Sequence, residues 1–406
     1  MPSRPSVIIG RRFSRVLTST ALRDLRRRAH AWRRTLRGAE AEVQHFFEPG
    51  DPYSALTAAL SPALAARYRI RITSHAVPPP EPAAAPEPER LRSWSQRDAA
   101  RLAVHHGITP MIAPPGLDTR ATALREGAAR RARLGHYLGA MFHFEGEWYW
   151  GVDRLHHLER RLIDQGLARS PDAAMAPLAP PPALQWKTPP PAPQAARPTV
   201  HFYCSLRSPY TWLAAGQVRR LVAHYGADLQ LRMVLPMVMR GLPVPWPKRR
   251  YIMLDTAREA ERLGLPFGCI ADPVGRPTER GLALVQHALR QDAREGRRDS
   301  RAGMTVAESF LQAVFAEGVD AGSDRGLARI AVRAGFDDRD IREALADEGW
   351  RAVAEGNRAD LLARGLWGVP SFRIDDRAAL WGQDRLWMLE EDLITALAAP
   401  SAGART

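Results

Sequence analysis

Three short segments in the second half of the chain carry residue types that can do chemistry together. The first is Cys204–Thr211, CSLRSPYT. It reads as a loop after a strand, with a helix opening at Ser208-Pro209. Proline suits the first turn of a helix because no N–H is needed there. The residue before it sits at the positive end of that helix, where an anion is stabilised by the dipole and by free N–H groups. A Ser208 hydroxyl at that place is either an N-cap or a donor to a bound anion. The second segment is Gly368-Val369-Pro370, ahead of a strand. Pro370 either follows a cis bond that presents the Val369 backbone to a peptide-like ligand, or is an edge-strand proline. The third is Trp381–Arg385, WGQDR, where Gly382 ends a strand and Gln383 and Asp384 open a helix. Asp384 either caps that helix or accepts hydrogen bonds from a cationic amine. Cys204 lies on the strand side of its loop with no second cysteine nearby, and reads as a small buried residue.

The elements that must hold these segments occur twice. HFYCSLRSPYTWL from His201 has a counterpart in HFFEPGDPYSAL from His45, which reads as the same phrase one residue shorter. GLWGVPSFRIDDRAALWGQDRLWMLEEDL from Gly365 matches GHYLGAMFHFEGEWYWGVDRLHHLERRL from Gly135. DTAREAERLGLP from Asp255 matches DAARLAVHHGITP from Asp98. Three matches in one order imply a tandem duplication of a whole domain. The hydrophobic spacing predicts, in the first copy, a strand at 43–47, a helix at 55–66, a strand at 68–73, helices near 94–106 and 119–134, a hairpin at 140–150 and a closing helix at 152–166. The second copy repeats the order: strand 199–203, helix 209–225, strand 228–235, a helical stretch at about 248–363, strands 371–374 and 378–380, and a helix at 383–398. This is an α/β arrangement with a small mixed sheet in each copy and a large helical insertion in the second. Residues 169–198 are dominated by Pro and Ala and read as an extended spacer. The expected domains are a basic helical arm at 1–41, a degenerate domain at 42–168, the linker 169–198, and an intact domain at 199–406.

Composition narrows the class. The chain has 406 residues, 45% of them hydrophobic, which is ordinary for a globular protein of two domains. No apolar run reaches membrane-spanning length, and the Arg-rich start lacks the apolar core of a secretory signal. Two cysteines make no disulfide framework, so a reducing, cytoplasmic setting is expected. The net charge of +14 comes from arginine, with lysine only at Lys187 and Lys248. No nucleic-acid partner and no metal site are expected. Residues 1–42 hold eleven arginines against Asp24, Glu40 and Glu42. They read as a basic helix with Leu17, Leu22, Leu25, Trp32 and Leu36 on a loose stripe. That helix either packs on the first domain or binds an acidic surface.

The second copy resembles the thioredoxin-like DsbA superfamily, in its branch of 2-hydroxychromene-2-carboxylate isomerases and kappa-class glutathione transferases. FYCSLRSPYTWLA, NRADLLARGLWGVP from Asn357, and WGQDRL carry the resemblance. It implies two thioredoxin-like domains, the second with the helical insertion. Redox members carry Cys-Pro-X-Cys where this chain has Ser208-Pro209-Tyr210-Thr211, so dithiol exchange is not available at that site. The resemblance implies glutathione as cofactor, with Ser208 as the catalytic hydroxyl at its sulfur. It also implies Val369 and Pro370 along the tripeptide backbone, Gln383 and Asp384 at the γ-glutamyl end, and Lys248 or Arg249 at the glycyl carboxylate. The implied activity is glutathione-dependent isomerisation or transfer on a small electrophilic, aromatic substrate. The alternatives are a non-catalytic thioredoxin-like interaction protein and a DsbA-family thiol oxidoreductase. In the first copy Asp51 stands for Ser208, Met141 for Pro370 and Val152 for Gln383, while Asp153 persists. This copy is expected to be a non-catalytic partner in an intrachain pseudo-dimer.

Overall fold

The structure, a computed structural model, describes residues 5–171, 176–189 and 197–398. The C-terminal end of the expected second domain and parts of the expected linker lie outside the described residues. The chain forms two compact units. The N-terminal unit comprises Thr20–Pro182 and Pro243–Tyr251. The C-terminal unit comprises Met1–Ser19, Ala183–Leu242 and Ile252–Thr406.

Each unit is built on a four-stranded mixed sheet of the same topology. In the N-terminal unit, β1 (Glu42–Phe47) leads through α3 (Pro52–Arg67) to β2 (Arg71–Ala76). Helices α4 (Pro88–His106) and α5 (Ala121–Arg133) follow, then β3 (Met141–Phe144), β4 (Glu147–Trp150) and α6 (Leu155–Asp164). The strand order is β2-β1-β3-β4, with β1 parallel to β2 and antiparallel to β3. In the C-terminal unit, β5 (Thr199–Cys204), α7 (Pro209–Tyr225) and β6 (Asp228–Met233) repeat the opening. A helical insertion follows, from α8 (Trp246–Leu263) through α9 (Arg276–Arg294), α10 (Arg301–Phe315), α11 (Asp324–Arg333) and α12 (Asp338–Ala346) to α13 (Trp350–Ala363). The unit closes with β7 (Ser371–Ile374), β8 (Leu380–Trp381) and α14 (Leu386–Ala398), in the order β6-β5-β7-β8. Both units are therefore α/β sheets with a thioredoxin-like parallel pair, and the second carries the expected insertion.

Hydrogen-bond register gives the correspondence between the copies residue by residue. Val77 N donates to Phe47 O at 2.8 Å, and Val234 N donates to Cys204 O at 2.9 Å. Phe47 and Cys204 are thus equivalent, and Asp51 and Ser208 both lie four residues later. The two loops have equal length, which corrects the expectation that the first is a residue shorter. The matching His-Phe pairs are instead offset by one within the strand. Gly151 N donates to Ala140 O at 2.8 Å, and Gly382 N donates to Pro370 O at 2.9 Å. Ala140, not Met141, therefore stands where Pro370 does. Both errors have one cause: a strand side chain alternates faces with period two, so a one-residue slip is invisible where both faces are apolar.

The basic arm also differs from the expected single helix. It consists of α1 (Pro5–Leu17) and α2 (Thr20–Leu36), which fall in different compact units. In the C-terminal unit, Ile270 N donates to Ser14 Oγ of α1 at 3.0 Å. In the N-terminal unit, α2 is held by ion pairs rather than by an apolar stripe. Arg27 is bidentate on Glu147 at 2.7 Å for both bonds, and Arg34 pairs with Glu145. Leu25, Trp32 and Leu36 are 62%, 63% and 65% exposed.

Candidate functional site

Ser208 is the N-cap of α7. Its extended backbone (φ −95°, ψ 113°) lets Oγ accept from Thr211 N at 3.2 Å, with Pro209 in the first turn. The hydroxyl is half-buried and donates to Val369 O at 3.4 Å. The Val369–Pro370 peptide is cis. One side chain thus caps the helix, as one of the two readings of Ser208 expects, and meets the loop that precedes β7. Gly368 is required beside it. A Cβ at that position would lie 2.2 Å from Cζ2 of Trp381, whose ring packs edge-on against Trp367 at 5.0 Å.

Two partners fix the loop and the helix start, and neither is legible in the motifs. Arg207 is bidentate on Asp272, at 2.6 and 2.7 Å, which occupies the guanidinium next to the site. The Tyr210 hydroxyl donates to Asp255 Oδ2 at 2.8 Å, and Arg258 pairs with the same carboxylate at 3.0 Å. The N-terminal unit repeats this device: the Tyr53 hydroxyl donates to Asp98 Oδ2 at 2.7 Å. Asp98 and Asp255 head the matched stretches of α4 and α8. The sequence match between those stretches thus preserves a buried hydrogen bond.

The remaining candidates are placed unevenly. Gln383 and Asp384 lie in a short 3-10 turn that leads into α14. Gln383 is 4% exposed, and its amide donates to Glu259 Oε2 at 3.2 Å and to Asp384 Oδ1. Asp384 is half-buried beside it. Glu259, itself buried, is held by Arg262 at 2.6 Å. Lys248 belongs to the N-terminal unit, where its ammonium donates to Ala84 O at 2.7 Å. Burial brings its pKa down to about 8. Arg249 is exposed, and its Nε donates to Val244 O at 3.1 Å. The structure therefore brings together Ser208, Val369 and Pro370 and places Gln383 beside Asp384 and Glu259, while Lys248 belongs to the N-terminal unit.

Cys204 is a poor nucleophile. Cys204 is 2% exposed, its thiol faces Met233 Sδ at 3.2 Å, and burial pushes its pKa up. Cys269 is also buried. The nucleophile is the thiolate, and apolar burial disfavours it.

The N-terminal unit builds a different site on the same loops. Asp51 caps α3 by accepting from Ser54 N at 2.8 Å, and burial pushes its pKa up. Ser54 Oγ accepts from Glu48 N and from Ala140 N, both at 3.0 Å, and so ties the two loops together. Burial, reinforced by the nearby Asp51 carboxyl, raises Glu48 to about 8. Gly139 leaves room for it, since a Cβ there would lie 2.5 Å from Glu48 Cβ. The loops equivalent to those of Ser208 and Val369 thus carry two buried carboxyls that are disposed to protonation.

Residues 199–394 match the family model of the DSBA-like thioredoxin domain. No curated protein matches the sequence. Solved structures similar to part of the chain include 2-hydroxychromene-2-carboxylate isomerase (HCCA isomerase), at 21% identity and a TM-score of 0.40, covering 49% of this chain and 95% of that one. The cytosolic disulfide reductase DsbM from Pseudomonas aeruginosa matches at 20% identity and a TM-score of 0.38, over 49% of this chain and 96% of its own. A structure of DsbM with GSH is also similar. A putative protein disulfide isomerase from Nitrosomonas europaea matches at 13% identity and a TM-score of 0.39, over 50% of this chain and 100% of its own. Within the matched residues, Ser208 and Thr211 flank Pro209-Tyr210, with no thiol in that turn.

Proposed function

We propose that the DSBA-like domain binds glutathione at Ser208 and uses it in isomerisation or transfer on a small electrophilic, aromatic substrate. The observation that carries this reading is the Ser208 hydroxyl, half-buried at the start of α7 and 3.4 Å from the Val369 carbonyl. A hydroxyl at a helix N-terminus favours a thiolate over a thiol. The sulfur end of the tripeptide fits this geometry, with the Val369 backbone alongside. At the γ-glutamyl end the Gln383 amide donates to Glu259 and Asp384, and the half-buried Asp384 carboxylate is the anionic group proposed to meet the amine. Lys248 is engaged with Ala84, and the glycyl carboxylate is not assigned to it. Bound here, glutathione supplies the nucleophilic sulfur, while the chain's own residues orient it and hold it ionised.

The test is calorimetric titration of the full chain with glutathione. Saturable binding to the wild type, weakened severalfold in Ser208→Ala and in Asp384→Asn, supports the reading. No binding at millimolar glutathione, or equal binding by Ser208→Ala, overturns it. Dithiol exchange is disfavoured by Ser208 and Thr211, and by the burial of both cysteines.

A further inference from the structure

The N-terminal unit contains a cleft that the reading above does not use. Its volume is about 830 Å³, and its walls come from α2, the end of α5, the β3–β4 turn and the start of α8. That is the size of a small-molecule site. The charge inside it is uneven. Three carboxylates line it, and each is already paired within the same unit. Glu145 is held by Arg34 and Arg161, Glu42 by Arg71 at 3.2 Å, and Glu40 by Arg71 at 3.4 Å. Arg33, Arg37, Arg133 and Arg250 also line the cleft. No carboxylate pairs with any of these four among the described residues. Four guanidinium groups therefore face the cleft unneutralised.

A buried polar group on the floor points the same way. His143 is 6% exposed and lines the cleft, and its Nδ1 has no hydrogen-bond partner among the described residues. Leaving a buried ring nitrogen unpaired is costly, and a ligand atom would relieve it. Burial, then the nearby arginines, lower its pKa to about 4, so at neutral pH it offers a neutral ring. The rim adds Trp246, 54% exposed, which provides an aromatic face.

We propose that this cleft is a binding site for a nucleoside phosphate, its phosphates held by Arg33, Arg37, Arg133 and Arg250 and its base stacked on Trp246. Guanidinium groups recognise phosphate oxygens bidentately, and a base stacks on an aromatic ring without sequence preference. The concave shape and the paired Glu40 and Glu42 at one wall disfavour an extended polyanion. This site is independent of Ser208.

The test is calorimetry of the full chain with ADP, pyrophosphate and adenosine. ADP should bind saturably, pyrophosphate more weakly, and adenosine not measurably. Arg37 and Arg133 are exposed, so Arg37→Glu with Arg133→Glu should leave the fold intact by circular dichroism. That variant should weaken ADP at least tenfold. Trp246→Ala should weaken ADP severalfold and leave pyrophosphate unchanged, with Trp246→Phe restoring most of the loss. No saturable binding, or unchanged ADP affinity in the double variant, overturns the site. Equal affinity for ADP and pyrophosphate overturns its nucleoside assignment. Glutathione binding in the same double variant should be unchanged.

Discussion

Replacing Tyr210 with Phe removes one oxygen and leaves the ring in place. That oxygen donates to Asp255 Oδ2 at 2.8 Å, and Asp255 is 1% exposed. The carboxylate keeps Arg258 at 3.0 Å but loses its link to the start of α7. A hydrogen bond to a charged, buried acceptor contributes about 1.5–3 kcal/mol. For a unit of this size each kcal/mol moves the midpoint by roughly 2–4 °C, so a drop of several degrees is expected. Tyr53→Phe removes the equivalent bond to Asp98, 2.7 Å long and also buried, and should cost about the same. Scanning calorimetry reads both losses. Amide hydrogen exchange should place the first in α7 and the second in α3. A midpoint unchanged in both variants, or a loss for Tyr210 with none for Tyr53, would refute the claim that the two units share one anchoring device.

Three further outcomes follow from the geometry. Glu48 has its folded pKa raised to about 8 from 4.5, so the stability it supports is present below the lower value and lost as pH rises through the upper one. Glu48→Gln should therefore unfold at a higher midpoint than wild type at pH 9, with the gap closing towards pH 5; the opposite trend contradicts the assignment. Gly368→Ala drives a methyl to 2.2 Å from Trp381 and should destabilise by about 1–3 kcal/mol. A neutral effect in denaturant unfolding would mean that the Trp381 ring moves freely. The native protein should show no fast-reacting thiol towards a disulfide reagent, and two thiols after denaturation, because both cysteines are buried. Rapid labelling of Cys204 in the native state would revive a thiol-based reading.

Much of this architecture is legible in the sequence, because Ser208-Pro209 and Asp51-Pro52 announce helix starts with local chemistry. The α7 limits at Pro209 and Tyr225 follow from Pro at the start and Gly226 at the end, in a left-handed cap. Register within the strands is not local. The sequence matches Met141 to Pro370, whereas the hydrogen bond from Gly151 N to Ala140 O places Ala140 there. The partners of the site residues are equally remote in sequence. Asp272 for Arg207 and Glu259 for Gln383 lie 65 and 124 residues from them, and no spacing rule reaches that far. The arm shows a third limit. Its leucines and Trp32 suggest an apolar seam, but Arg27 and Arg34 hold α2 through Glu147 and Glu145, and the apolar side stays exposed.

The central claim is that Ser208 and the start of α7 stabilise a thiolate. The direct measurement is the pH titration of the bound glutathione thiol, followed by its thiolate absorbance in the ultraviolet, on wild type and on Ser208→Ala. The bound thiol of the wild type should titrate at least one unit below free glutathione, equivalent to about 1.4 kcal/mol. Ser208→Ala should return most of that shift while still binding the tripeptide. Titration of the bound thiol at its free value, or the same lowered value with and without the hydroxyl, would contradict the account.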